Sequence, residues 1–117
     1  MMNIAIIGSR TFKDFDTLEK FILANIDIGK IETIISGGAV GTDRLAELFA
    51  DKYNIPKNII KPEWKKYKRG AGLVRNKEII DKSDIIFAFW QNRSKGTEYV
   101  IREALTIGKK VKLWEVE

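Results

Sequence analysis

Residues 84–90 read DIIFAFW, an almost unbroken apolar run behind a single acid. A strand with one wet face alternates polar and apolar side chains. This run does not alternate, so both of its faces must be covered. Helices on both sides of a sheet provide that cover, and strands sandwiched in this way are mainly parallel, each joined to the next by a crossover helix. The run therefore restricts the chain to the layered α/β class.

The remaining segments alternate as that class requires. Asn3–Ile7 is a short apolar run ending at Gly8. A helix is expected from about Asp16, where Asp16 and Glu19 have capping-box spacing and Leu18, Phe21 and Ile22 form an apolar stripe. Thr33–Ser36 reads as the second strand, and Leu45, Leu48, Phe49 and Tyr53 recur at helical spacing after it. Asn58–Lys61, between Pro56 and Pro62, is expected to be a weak third strand, followed by a helix over Gly70–Asp81. Val100, Ile101, Ala104 and Leu105 mark a last helix that Gly108 stops, and Lys110–Val116 closes the sheet with charges suited to an edge. The expectation is one doubly wound α/β domain over residues 1–117, with five mainly parallel strands in the order 3-2-1-4-5 and helices on both faces.

Composition excludes several chemistries. With no cysteine and no histidine, disulfides, thiolate metal sites and His-ligated zinc are out of reach, and no metal or cofactor is called for. Acid–base work would fall to carboxylates, Lys, Tyr or bound water. The opening MMNIAIIG lacks the basic start of a signal peptide, and no stretch approaches a membrane span, so a cytoplasmic protein without membrane contact is expected. The net charge of +5 points to an anionic partner. Much of it lies in residues 57–77, where Lys57, Lys61, Lys65, Lys66, Lys68, Arg69, Arg75 and Lys77 face a single acid, Glu63.

Ligands of doubly wound sheets sit beyond the carboxyl ends of the strands, near the point where strand order reverses. Loops one, two and four would converge there, and these three are unusual. IISGGAVGTDRLA (34–46) places Gly37, Gly38 and Gly41, with Ala39 between them, before a helix start at which Thr42 could cap and Asp43 falls in the first turn. Bare backbone at a helix N-terminus suits a phosphate or a sugar. The spacing is neither the dinucleotide fingerprint nor a Walker loop. Ser94, Gly96 and Thr97 in SKGTE repeat the arrangement before the last helix. Gly8, Ser9 and Arg10 follow the first strand, where a guanidinium would overlook the switch point. Arg75 and Asn76 lie on a helix expected to face these loops. Arg75 could equally form a surface ion pair with Glu78. Trp90 is expected to border the pocket, whereas Trp64 and Tyr67 are expected to pack a loop.

IAIIGSRTF, SGGAVGTDRLAE, PEWKKYKRGAGLVRNKEII and FAFWQNRSKGT together resemble the SLOG superfamily, and within it the small YspA-like branch related to YpsA. The resemblance covers nearly the whole chain. It implies a Rossmann-like fold, a nucleotide or nucleotide-derived ligand, and homodimers. The superfamily also holds the DNA-processing protein A and the Lonely Guy phosphoribohydrolases, which cut the N-glycosidic bond of nucleoside 5′-monophosphates. The hydrolases carry an Arg in an RKxxM helix and a PGGxGTxxE loop. Arg75 matches the Arg, with Ile79 at the Met position, but SKGTEYV lacks the proline and one glycine, and Val100 stands where the hydrolases have their catalytic Glu. An oxocarbenium-like transition state needs a carboxylate, which leaves Asp43 or Glu98 beside Arg75 as the catalytic candidates.

Three functions follow as expectations. The first is a nucleotide-binding sensor or carrier on the glycine loops. The second is a nucleotide N-glycosidase, and the third a single-stranded nucleic-acid binder using the basic 57–77 segment, whose aromatics could stack bases.

Overall fold

The computed structural model describes all residues from 1 to 117. Five parallel strands run in the order β3-β2-β1-β4-β5: β1 Met2–Gly8, β2 Ile31–Ser36, β3 Lys57–Ile59, β4 Ile85–Gln91 and β5 Lys110–Val116. The helices are α1 Phe15–Asn25, α2 Thr42–Lys52, the single turn α3 Trp64–Tyr67, α4 Ala71–Lys82 and α5 Lys95–Thr106. Short 3₁₀ turns at Ile28–Lys30 and Lys68–Gly70 precede β2 and α4.

The pleat sorts the side chains of the inner strands onto two cores. Ile4 and Ile6 of β1 and Ile85, Phe87 and Phe89 of β4 join Leu18, Ile22, Leu45 and Phe49 under α1 and α2. Ala5, Ile7, Ile86, Ala88 and Trp90 point the other way, against Ile79, Ile80, Val100 and Ile101 of α4 and α5. The unbroken apolar run at 84–90 is thus split between two layers, as a two-sided strand requires. Phe21 meets Phe87 and Phe89 edge-on at 6.0 and 5.7 Å, and Phe12 stacks on Phe89 at 5.3 Å. Each such buried side chain contributes roughly 2–3 kcal/mol of apolar burial. The outer strand β5 stays largely exposed, consistent with its lysines.

Several local expectations shift. The first helix is capped by Asp14, whose carboxylate accepts from Thr17 N at 3.1 Å, and not by the Asp16–Glu19 box. Glu19 is engaged elsewhere, accepting from Tyr53 Oη at 2.6 Å and pairing with Lys52. The third strand is Lys57–Ile59, starting one residue and ending two residues earlier than expected, because Lys57 pairs in register with Ile34 and Ile59 with Ser36. Trp64 and Tyr67 do not pack a loop: they are 59% and 37% exposed, on a turn that buries nothing. No helix is long and apolar enough to cross a membrane.

Directly after that turn, Lys68 adopts φ 52°, ψ −127°, a conformation open to glycine and costly for a side chain. Lys68→Gly is therefore expected to stabilise the fold by about 1 kcal/mol, the relieved strain outweighing the added chain entropy. An unchanged urea midpoint would show that no strain is held there.

Candidate functional site

The loops after β1, β2 and β4 meet at the carboxyl end of the sheet, where the order reverses between β1 and β4. Ser9 binds them together. Its N–H donates to Phe89 O at 2.9 Å, and its carbonyl accepts from Thr42 N at 3.2 Å and Thr42 Oγ1 at 2.9 Å. Its hydroxyl accepts from Gln91 N at 2.8 Å and lies 2.6 Å from Ser94 Oγ, which in turn donates to Thr97 Oγ1 at 3.0 Å. Ser9 is 2% exposed, so this network fixes three loops in one geometry.

The glycines explain how the loops come so close. A Cβ on Gly41, where φ is +73°, would lie 2.2 Å from Arg10 O; one on Gly8 would lie 2.2 Å from Phe89 O and 2.6 Å from Thr42 Oγ1. Gly38, at φ +75°, is packed by Ile59 and by the stem of Lys61. Protein atoms, not ligand atoms, claim the space at these three. Gly37 differs: a Cβ there would meet Arg75 Nη1 at 2.7 Å and Asp43 Oδ2 at 2.9 Å, the two groups that face each other across the site.

What the loops enclose is a cleft of about 360 Å³. The loops and α4 line it with Gly8, Ser9 and Arg10; Gly37, Ala39 and Asp43; Arg75 and Asn76; and Ser94, Gly96 and Thr97. Ile7, Ile79 and Val100 form its apolar floor. Of the residues expected at the site, Gly38, Gly41, Thr42 and Trp90 do not line it. Gly41, not Thr42, is the N-cap of α2, and the Thr42 hydroxyl is used on Ser9. Trp90 is 7% exposed in the second core, its Nε1 donating to Ser94 O at 2.9 Å. Glu98 stands outside the cleft with its side chain toward Arg102 at 3.6 Å. Two floor residues are placed by helical spacing, Ile79 four after Arg75 and Val100 three after Thr97, and both fall at positions the hydrolase motifs mark.

Asp43 is 8% exposed and accepts from Ala39 N at 3.1 Å. Burial raises its pKa, opposed by the Ala39 hydrogen bond and the Arg75 charge. Arg75 is half-buried, and burial lowers its pKa. It forms no pair with Glu78, which Lys82 holds at 2.8 Å. Instead its Nη1 donates to Gly37 O at 2.8 Å and its Nε to Asn76 Oδ1 at 2.9 Å. Two of about five guanidinium donors are used, and the rest are free for a ligand. Opposite, no side chain caps the first turn of α5, so the N–H groups of Lys95, Gly96 and Thr97 lack intrahelical partners. No group of three or more potential metal ligands forms anywhere in the chain.

A parallel sheet in this order, with a polar cleft at its switch point, defines a Rossmann-like α/β domain. The chain belongs to the YspA, cpYpsA-related SLOG family, whose sequence pattern matches residues 2–67. That match spans the first two cleft loops and ends at α3, before Arg75. The chain is also similar to the Gene 61 protein of Mycobacterium phage D29, at 29% identity over 115 residues, covering 92% of each chain. In fold it is similar to the X-ray structure of DNA processing protein A (DprA) from Streptococcus pneumoniae, with a TM-score of 0.60 over 94% of this chain and 15% identity. The chain spans 58% of that protein's length.

Proposed function

We propose that the cleft binds a nucleotide or nucleotide-derived ligand. Family and fold fit a nucleotide- or nucleic-acid-related role, and one observation carries the narrower reading. The uncapped first turn of α5, the buried Asp43 and the half-buried Arg75 line the same cleft of about 360 Å³, which supports a phosphate at the helix start and a sugar beside the two side chains. Three free N–H groups and the helix dipole suit a phosphate at Gly96 and Thr97. A phosphate beside Asp43 would be repelled. A ribose is not, because its hydroxyls donate to a carboxyl group, and Arg10 and Arg75 offset the charge.

The test is thermal stabilisation by a panel of nucleoside mono-, di- and triphosphates, with Gly96→Leu as control. A Cβ on Gly96 meets nothing within 4 Å. Leucine therefore fits sterically but fills the cleft, and the variant should keep the wild-type melting temperature to within a few degrees while losing the ligand-induced rise. No rise with any nucleotide for the wild type would sink the reading.

An N-glycosidase is the second reading, favoured by one fact: of the two candidate carboxyl groups, Asp43 alone lies in the cleft. There its carboxylate would stand beside Arg75, where an oxocarbenium-like transition state needs one. Chromatography of the same incubations decides. Free base that disappears in Asp43→Asn establishes hydrolysis, and its absence with every nucleotide leaves a binder.

A further inference from the structure

The segment from Lys61 to Gly70 takes no part in the cleft as it stands, yet one end packs on the glycine loop and the other leads into a helix that lines the cleft. Lys61 lies along Gly38, its Cγ and Cε 3.2 and 3.4 Å from a Cβ built there. Gly70 runs straight into α4, which carries Arg75 and Asn76. Trp64 follows Lys61 by three residues, so its Cα lies within about 11 Å of the glycine loop's neighbour. A side chain as large as tryptophan is normally drawn into a core, but this one is 59% exposed, with Tyr67 beside it at 37%. Five cations share the segment with them: Lys61, Lys65, Lys66, Lys68 and Arg69. The salt bridges of the fold involve Arg44, Lys52, Lys57, Lys82, Arg93 and Arg102, and none of those five. Lys66 already lies over the Tyr67 ring at 5.1 Å, but the exposed Trp64, among five cations against the one acid Glu63, complements a ligand with both an aromatic ring and negative charge. Lys68 holds the segment in a backbone conformation that side chains resist, a feature concentrated where chains switch shape.

We propose that residues 61–70 form a strap that closes over the occupied cleft and stacks Trp64 on the base of a bound nucleotide. This rests on the nucleotide reading above and names what that reading lacks, since the polar lining offers groups for phosphate and sugar but no aromatic face for the base.

The test compares the four common nucleoside 5′-monophosphates with ribose 5-phosphate, which has the sugar and phosphate but no base. A nucleoside monophosphate should quench the tryptophan emission that Trp64→Phe removes, and should slow trypsin cleavage at Lys65, Lys66, Lys68 and Arg69. Ribose 5-phosphate should bind and do neither. Trp64→Ala should weaken monophosphate binding roughly tenfold and leave ribose 5-phosphate affinity unchanged. Monophosphate binding with no quench and no protection overturns the strap while leaving the cleft intact. Equal losses for both ligands in Trp64→Ala would mark Trp64 as merely structural. If neither ligand binds, the nucleotide reading falls and the strap falls with it.

Discussion

Gly41→Ala is expected to destabilise the protein by roughly 3–5 kcal/mol, a large share of a domain's usual 5–15 kcal/mol. Two independent costs add. Position 41 has φ +73°, where an alanine is strained by about 1–3 kcal/mol. The new Cβ would also press on three backbone atoms of Arg10, at 2.2 Å from O, 2.4 Å from C and 2.6 Å from Cα. Backbone cannot rotate aside as a flexible side chain can, so relief requires loop one to move off loop two. That movement would break the Ser9–Thr42 bonds and with them the cleft. The contrast is Gly96→Ala. Position 96 opens a helix into empty space, and alanine there should be neutral or stabilising by about 0.5 kcal/mol. Urea denaturation of the two variants measures both. Equal midpoints would mean that the two loops do not approach as closely as described.

Asp43→Asn and Arg75→Ala should move stability in opposite directions while both weaken binding. Burial raises the Asp43 pKa above its ordinary 3.8, so the folded protein holds a proton there more tightly than the unfolded chain does. Its stabilising contribution is complete below pH 3.8 and is lost as the pH rises through the raised value. At neutral pH the wild type carries the cost of this raised pKa, which asparagine lacks, and asparagine's carbonyl can still accept from Ala39 N. Asp43→Asn should therefore melt higher than wild type at pH 7, with the gap narrowing as the pH is lowered toward 4. Arg75→Ala removes a donor from Gly37 O and the nearest counter-charge to Asp43, and should cost about 1–2 kcal/mol. For binding, loss of the Arg75 hydrogen bonds to the sugar should raise Kd about 10-fold or more, as should loss of the Asp43 carboxylate. A residue whose neutral replacement is more stable but less active is retained for function. Should Asp43→Asn melt lower than wild type at pH 7 and bind nucleotides normally, Asp43 is a helix-start residue and nothing more.

The glycine loop shows how far local sequence can mislead about detail while being right about place. Three glycines in five positions mark the loop as crowded, and the sequence alone cannot say by what. In the fold the crowding comes from Arg10, Ile59 and Lys61, residues distant in sequence, and Gly37 alone of the three opens on the cleft. Trp90 and Trp64 both depart from their expected places, the first into the core and the second to the surface. Whether an indole is covered depends on what packs over it, and for Trp90 that is the core it shares with Val100 and Ile101 of α5 and the Arg93 guanidinium 4.8 Å from its ring.

By itself the sequence determined the two-sided central strand and the parallel class. Those follow from side-chain periodicity and from the handedness of crossovers, both local properties of an L-amino-acid chain. The strand order, and with it the meeting of loops one, two and four, was an expectation that the structure bears out. Only the tertiary structure decided that Asp43 and not Glu98 shares a cleft with Arg75, that Thr42 serves Ser9 rather than its helix, and that Trp64 stands uncovered among unpaired cations. Each depends on distances between segments far apart in the chain, and burial and electrostatics are set by those distances.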